Sequence, residues 1–118
     1  MKNKILIILS ILFIFSCTKL KDANLEITNK TIGRDEKKLY FEIVEVTNKG
    51  EQPAYFVILI GKAFSNGNII QTLEKSYGDI FPNQKKEFKL TYDKLGFKNP
   101  DSIVYQITYS QSTNYPLR

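Results

Sequence analysis

The chain contains no histidine and a single cysteine, Cys17. Without histidine there is no Ser-His-Asp or Cys-His nucleophile pair, no histidine-based zinc site, and none of the commonest general base. One cysteine excludes a disulfide within the chain, so packing and strand hydrogen bonds must hold the fold. The six glycines are scattered singly, and none belongs to a phosphate-cradling loop. Arginine is scarce: only Arg34 and Arg118 stand among 17 basic residues. Arginine is the residue suited to bidentate phosphate and base recognition, so no nucleic-acid partner is expected. No spacing suggests a metal loop, and no cofactor is expected. Carboxylate pairs remain as a formal route to glycoside hydrolysis. Asp35 and Glu36 lie in a polar stretch, and Glu42 and Glu45 fall on opposite faces of one strand. Acidic residues so placed are solvated, and the expectation is a protein that is not an enzyme.

What the chain does contain begins at its start. Lys2 and Lys4 precede an apolar run over residues 5–15, broken only by Ser10, and Ser16 and Cys17 follow. A membrane-spanning helix needs roughly 20 apolar residues, and this run is about half that. A basic start, a short apolar stretch and a small residue form the layout of a secretory signal. The stretch Ile14-Phe15-Ser16-Cys17 resembles the lipobox of bacterial lipoproteins, departing from it at Phe15, where a smaller residue is usual. The resemblance implies cleavage between Ser16 and Cys17, lipid on Cys17, and anchorage to a membrane of the cell envelope. Thr18 in place of aspartate implies the outer membrane where a bacterium has two.

Removing residues 1–16 leaves 102 residues, one domain of ordinary size. Lys2 and Lys4 leave with that segment, so 15 basic and 12 acidic residues remain, a net +3. Lys19 and Lys21 stand where they would meet anionic headgroups. Residues 17–24 read as a polar tether, 25–112 as the folded domain, and 113–118 as a frayed end.

Within the domain the hydrophobic period is two almost throughout. Leu25 and Ile27 alternate with polar residues, then Leu39, Phe41 and Ile43 with Tyr40, Glu42 and Val44. Gly50 and Pro53 break the chain before a stretch at 54–64 that is apolar on both faces, as in a central strand. Asn66-Gly67 supplies two positive-φ positions for a tight hairpin turn. Phe81-Pro82-Asn83-Gln84 is a turn with proline at its second position. Phe88, Leu90 and Tyr92 alternate next, residues 93–97 form a single helical turn closed by Gly96, and Ile103, Tyr105, Ile107 and Tyr109 end the pattern. Six or seven short strands with no long helix predict an all-β antiparallel sandwich. The expected core is Leu39, Phe41, Ile43, Phe56, Ile58, Ile60, Phe88, Leu90, Ile103 and Ile107.

Three pieces of this order carry a family resemblance: Thr47-Asn48-Lys49-Gly50 at a strand end, Asn66-Gly67-Asn68, and Phe81-Pro82-Asn83-Gln84 before Phe88. Together they resemble the FxLYD and CARDB-like immunoglobulin-like domains of secreted bacterial proteins. The Leu-Tyr-Asp step of that family is absent, and Ala63-Phe64-Ser65 stands near its place. The resemblance implies an immunoglobulin-like fold and an accessory or binding role, with no catalytic residues to carry over.

The expected function is therefore a lipid-anchored, non-catalytic module that binds another envelope protein. The alternative is a small inhibitor or immunity protein that blocks a hydrolase or toxin by loop insertion. Asn48, Lys49, Gly50, Phe81, Pro82 and Asn83 are the candidate binding-loop residues, and the oligomeric state is open. Lys85, Lys86 and Lys89 read as edge protection of a strand. Tyr105 and Tyr109 read as core or core rim. Glu45, on the phase of Phe41 and Ile43, is the one acidic residue expected to share an apolar face.

Overall fold

The structure is a computed structural model that describes residues 20–111. The expectations for Ser16, Cys17, the signal segment and the frayed end at 113–118 lie outside the described residues. Six strands follow in order: β1 (Leu25–Arg34), β2 (Tyr40–Asn48), β3 (Ala54–Ser65), β4 (Asn68–Ile80), β5 (Lys85–Tyr92) and β6 (Ser102–Ser110). A 3₁₀ turn, Asp93–Leu95, joins β5 to β6 and stops at Gly96, whose positive φ ends it as predicted. Among the described residues no helix is long and apolar enough to cross a membrane.

The strands form two antiparallel three-stranded sheets, ordered β1-β2-β5 and β4-β3-β6. The turns are those the residues dictate. Asn66 and Gly67 both hold positive φ in the β3–β4 hairpin. Pro82 and a positive-φ Asn83 sit between β4 and β5, where Gln84 N–H donates to the carbonyl of Phe81 at 2.9 Å. Each strand runs the length of the domain, so all connections fall at one of two ends. Residues 20–24, 49–53, 81–84 and 111 gather at the first end. Residues 35–39, 66–67 and 93–101 gather at the second, about 35 Å away at about 3.3 Å per strand residue.

One core lies between the sheets. Tyr40, Val44, Val46, Leu90 and Tyr92 of one sheet meet Ala54, Val57, Leu59, Ala63, Tyr77 and Ile80 of the other. This corrects the expected core on β2 and β3. The inward residues of β2 are Tyr40, Glu42, Val44, Val46 and Asn48, while Phe41 and Ile43 are half-buried on the outer face and Leu39 is half-buried just before the strand. On β3 the inward set is Val57, Leu59, Gly61 and Ala63, and Phe56, Ile58 and Ile60 take the outer phase. The cause on β3 is a bulge: pairing with both neighbours slips between residues 54 and 58, and Phe56 adopts φ 54°. One extra residue in a period-two strand flips every side chain beyond it. Leu90 is buried as expected, and Phe88, Ile103 and Ile107 pack against the core from its rim.

Candidate functional site

Asn48 stands at the centre of the end where the chain enters the domain, and its side chain is 0% exposed. Its Nδ2 donates to the carbonyls of Gln52 (2.8 Å) and Ile80 (3.0 Å), and its Oδ1 accepts from the N–H groups of Gly50 (2.9 Å) and Asn24 (3.2 Å). Its backbone N–H donates to Gln84 and its carbonyl accepts from Asn83. Through its side-chain amide and its backbone, this one residue ties the entry segment, the β2–β3 loop, the end of β4 and the β4–β5 turn together. Every donor and acceptor of that amide is engaged, as burial demands. A Cβ on Gly50 would strike the Asp22 carbonyl, so glycine is required for the entry segment to pass this closely.

The remaining contacts of that segment complete a clasp. Glu51 accepts from Lys21 N–H, Gln52 Nε2 donates to the Leu20 carbonyl, and Tyr109 Oη donates to the Ala23 carbonyl. Gln111 Oε1 accepts from Ala23 N–H. Residues 20–24 are therefore docked, which corrects the tether expected at 17–24 for its described part. Of the six candidate binding-loop residues, Asn48, Lys49, Gly50 and Asn83 act in this clasp, Lys49 N–H donating to the Asn24 carbonyl at 2.7 Å, while Phe81 and Pro82 lie beside it. The structure brings all six together at one end.

A second polar cluster lies inside the sandwich. Glu42, 4% exposed, accepts from Tyr40 Oη at 2.6 Å through Oε2 and from Tyr105 Oη at 2.7 Å through Oε1. Tyr92 Oη donates onward to Tyr105 at 3.2 Å. This chain crosses from one sheet to the other. Burial pushes the Tyr92 hydroxyl up to about 12; Tyr40 rises first from burial and then from the Glu42 carboxylate, and Tyr105 first from burial, then from its hydrogen bond with Tyr92 and from Glu42. Glu42 is the buried carboxylate, on the strand face opposite to Glu45, the acidic residue expected to share the phase of Phe41 and Ile43. Glu45 lies half-buried on the outer face and accepts from Thr28 Oγ1 at 2.7 Å. The lysines expected as one cluster divide: Lys86 Nζ donates to the Tyr77 carbonyl, and Lys89 sits 4.3 Å over the Phe41 ring. They lie on β5, which is an edge strand.

The far end holds residues that sequence reasoning passed over. Arg34 reaches across from β1 and donates to the carbonyls of Lys38 (2.8 Å), Gly96 (3.4 Å) and Phe97 (3.1 Å), and to Asn99 Oδ1 (2.6 Å). Its planar fork braces the loop after the 3₁₀ turn. Asp101 fastens that loop to the β3–β4 hairpin by accepting from Asn66 N–H at 2.7 Å, and Gln71 ties the 3₁₀ turn to β4. Phe97 stands out at the tip, 78% exposed. A groove of about 500 Å³ runs beside it between the hairpin and the 3₁₀ turn, bounded by Asn66, Ile70, Asp93 and Lys98. The signal was present in the chain: a large aromatic set between Gly96 and Lys98, outside the period-two strand pattern.

Among the described residues no group of three or more acidic, cysteine or histidine side chains gathers to hold a metal. The arrangement offers a clasped end, a buried tyrosine–carboxylate chain and a braced aromatic tip. Comparison with protein-family models, curated proteins and solved structures finds no match to this chain.

Proposed function

We propose that this protein is a lipid-anchored, non-catalytic module of the bacterial cell envelope that binds a partner protein through the end carrying Phe97. The observation that carries this reading is the clasp at the entry end. Leu20 is already docked, and it stands three residues after Cys17. Three extended residues span at most about 10 Å, so lipid on Cys17 would hold the entry end close to the bilayer. The loops at 49–53 and 81–84 would then face the membrane, and the braced loop with Phe97 would face outward. Rigid, preorganised aromatics make good anchors because little conformational freedom is lost on binding.

The strand order supports an immunoglobulin-like reading. Sheets β1-β2-β5 and β4-β3-β6 correspond to strands A-B-E facing C′-C-F, without a closing strand beside β6. Asn48 and Gly50, which carry part of the resemblance to FxLYD and CARDB-like domains, acquire a structural reason in the clasp. Glu42 supports the non-catalytic reading, since both its carboxylate oxygens are held by core tyrosines. The inhibitor reading is favoured by one observation, Phe97 presented on a loop locked at several points.

Mass spectrometry of the native protein tests the anchor. The expected result is a chain beginning at Cys17 with at least two acyl chains, and a Cys17→Ser variant that stays unprocessed or leaves the membrane. A native chain with any other start would overturn it. A photoreactive residue at position 97 in the native protein should capture a partner that one at position 81 does not.

A further inference from the structure

Among the described residues each sheet leaves two edges open, and three of the four strands there carry devices that discourage pairing with another chain. β1 has a bulge between Ile27 and Asn29 and charges at Glu26, Lys30 and Arg34. β4 has bulges, Gly78, and charges at Glu74, Lys75 and Asp79. β5 carries three lysines and Glu87. β6 has none of these: Ser-Ile-Val-Tyr-Gln-Ile-Thr-Tyr-Ser contains no charge, no proline and no glycine over nine residues. Its partner β3 covers one side only. An edge without charge, proline or bulge is a template for one more strand.

A second observation points to the same place. Ile32 of β1 pairs with Glu42, which is buried, so Ile32 occupies the inward phase of its sheet. Yet it is 61% exposed. β6 is the strand of the opposite sheet that comes nearest, with Lys30 Nζ 5.7 Å over the Tyr105 ring. A strand added along the outer edge of β6 would be the next layer over Ile32. Lys30 and Arg34 flank Ile32 on the same phase. Lys30 makes no ion pair among the described residues, and Arg34 is bonded only to neutral acceptors.

We infer that the outer edge of β6 over residues 102–109, open among the described residues, is a docking site for an extended segment of a partner protein, one with alternating apolar residues and a carboxylate facing Lys30 and Arg34. Main-chain hydrogen bonds to β6 would supply affinity. The uncovered Ile32 and the two cations would supply selectivity. This goes beyond the contact reading at Phe97 by adding a second surface, and it does not depend on the anchor, because lipidation is read separately by mass.

The test uses the full chain in detergent and a nine-residue peptide with valine at every odd position except a central glutamate, and threonine between. The expected result is saturable binding, with amide exchange slowed at alternate residues of β6 and unchanged along β4 and β5. N-methylation of the peptide on the bonding side should weaken it about tenfold or more. A central lysine in the peptide, or Ile32→Glu in the protein, should weaken it as well. Ile32 is exposed enough to be replaced without loss of fold, which circular dichroism would verify. Three results would each overturn the proposal: no binding at millimolar peptide, protection at another edge, or β6 amides already protected without peptide by self-association or by residues 112–118. Ending the chain at Gln111 distinguishes the last two.

Discussion

Gly61 on β3 and Tyr92 on β5 share one space: a methyl group on Gly61 would collide with Tyr92 Oη and press on the Tyr105 ring. The absence of a side chain at 61 is what lets the hydroxyl chain from Tyr92 through Tyr105 to Glu42 pass between the sheets. Gly61→Ala should destabilise the domain by about 1 to 3 kcal/mol through overpacking. Tyr92→Phe should recover part of that loss in the double variant, since the two sites are coupled. Urea unfolding midpoints of the four proteins measure it. Strict additivity would show that the two residues do not compete for this space.

Asn48→Ala should cost more than most single changes. It leaves the carbonyls of Gln52 and Ile80, and the N–H groups of Asn24 and Gly50, without the partner the amide provided. Each buried group left unpaired costs about 1 to 3 kcal/mol, so a total of about 3 kcal/mol or more is expected. Asn48→Asp should fare little better, because it sets a carboxylate oxygen against two carbonyls. Hydrogen exchange should rise first at residues 20–24. Loss of biological function on changing Asn48 would therefore report a broken clasp, and not a lost binding contact.

Stability should fall in alkali through a defined window. Tyr92 rises from an ordinary 10 to about 12 because it is buried, and Tyr40, Tyr77 and Tyr105 are displaced in the same direction. A raised pKa in the folded state means that the unfolded chain gives up its protons first. The stabilising contribution is complete below pH 10 and declines as pH climbs through 10 towards 12. Tyrosinate absorbance should appear together with loss of the β spectrum. Buried tyrosines that ionise near pH 10 while the domain stays folded would contradict this.

Orientation at the membrane can be read with two tryptophans. In the lipidated protein, Phe81→Trp should be quenched by brominated lipids, because the β4–β5 turn shares an end with Leu20. Phe97→Trp, about 35 Å away along the strands, should not be quenched. Quenching at 97 and not at 81 would mean that the domain lies the other way up.

Much of the architecture follows from the chain alone. Period-two alternation made six strands, and Asn66-Gly67 and Pro82-Asn83 placed two turns, because those residues accept backbone angles that others resist. Gly96 ended the helical turn for the same reason. Which face of a strand points inward is a different matter. On β2, Phe41 and Ile43 compete with Tyr40, Val44 and Val46, and both sets are apolar enough to be core. Local pattern cannot choose between them. The choice comes from the opposing sheet: Glu42 is tolerated inside only because Tyr105, sixty-three residues later, brings a hydroxyl to it. On β3 the bulge at Phe56 reversed the phase, and nothing nearby in the chain announces an extra residue. The roles of Asn48 and Arg34 were hidden for the same cause, since their partners come from segments far apart in the chain. Local angles and periodicity determined the strands and turns; inside and outside, and the partners of each polar side chain, were decided only when the two sheets met.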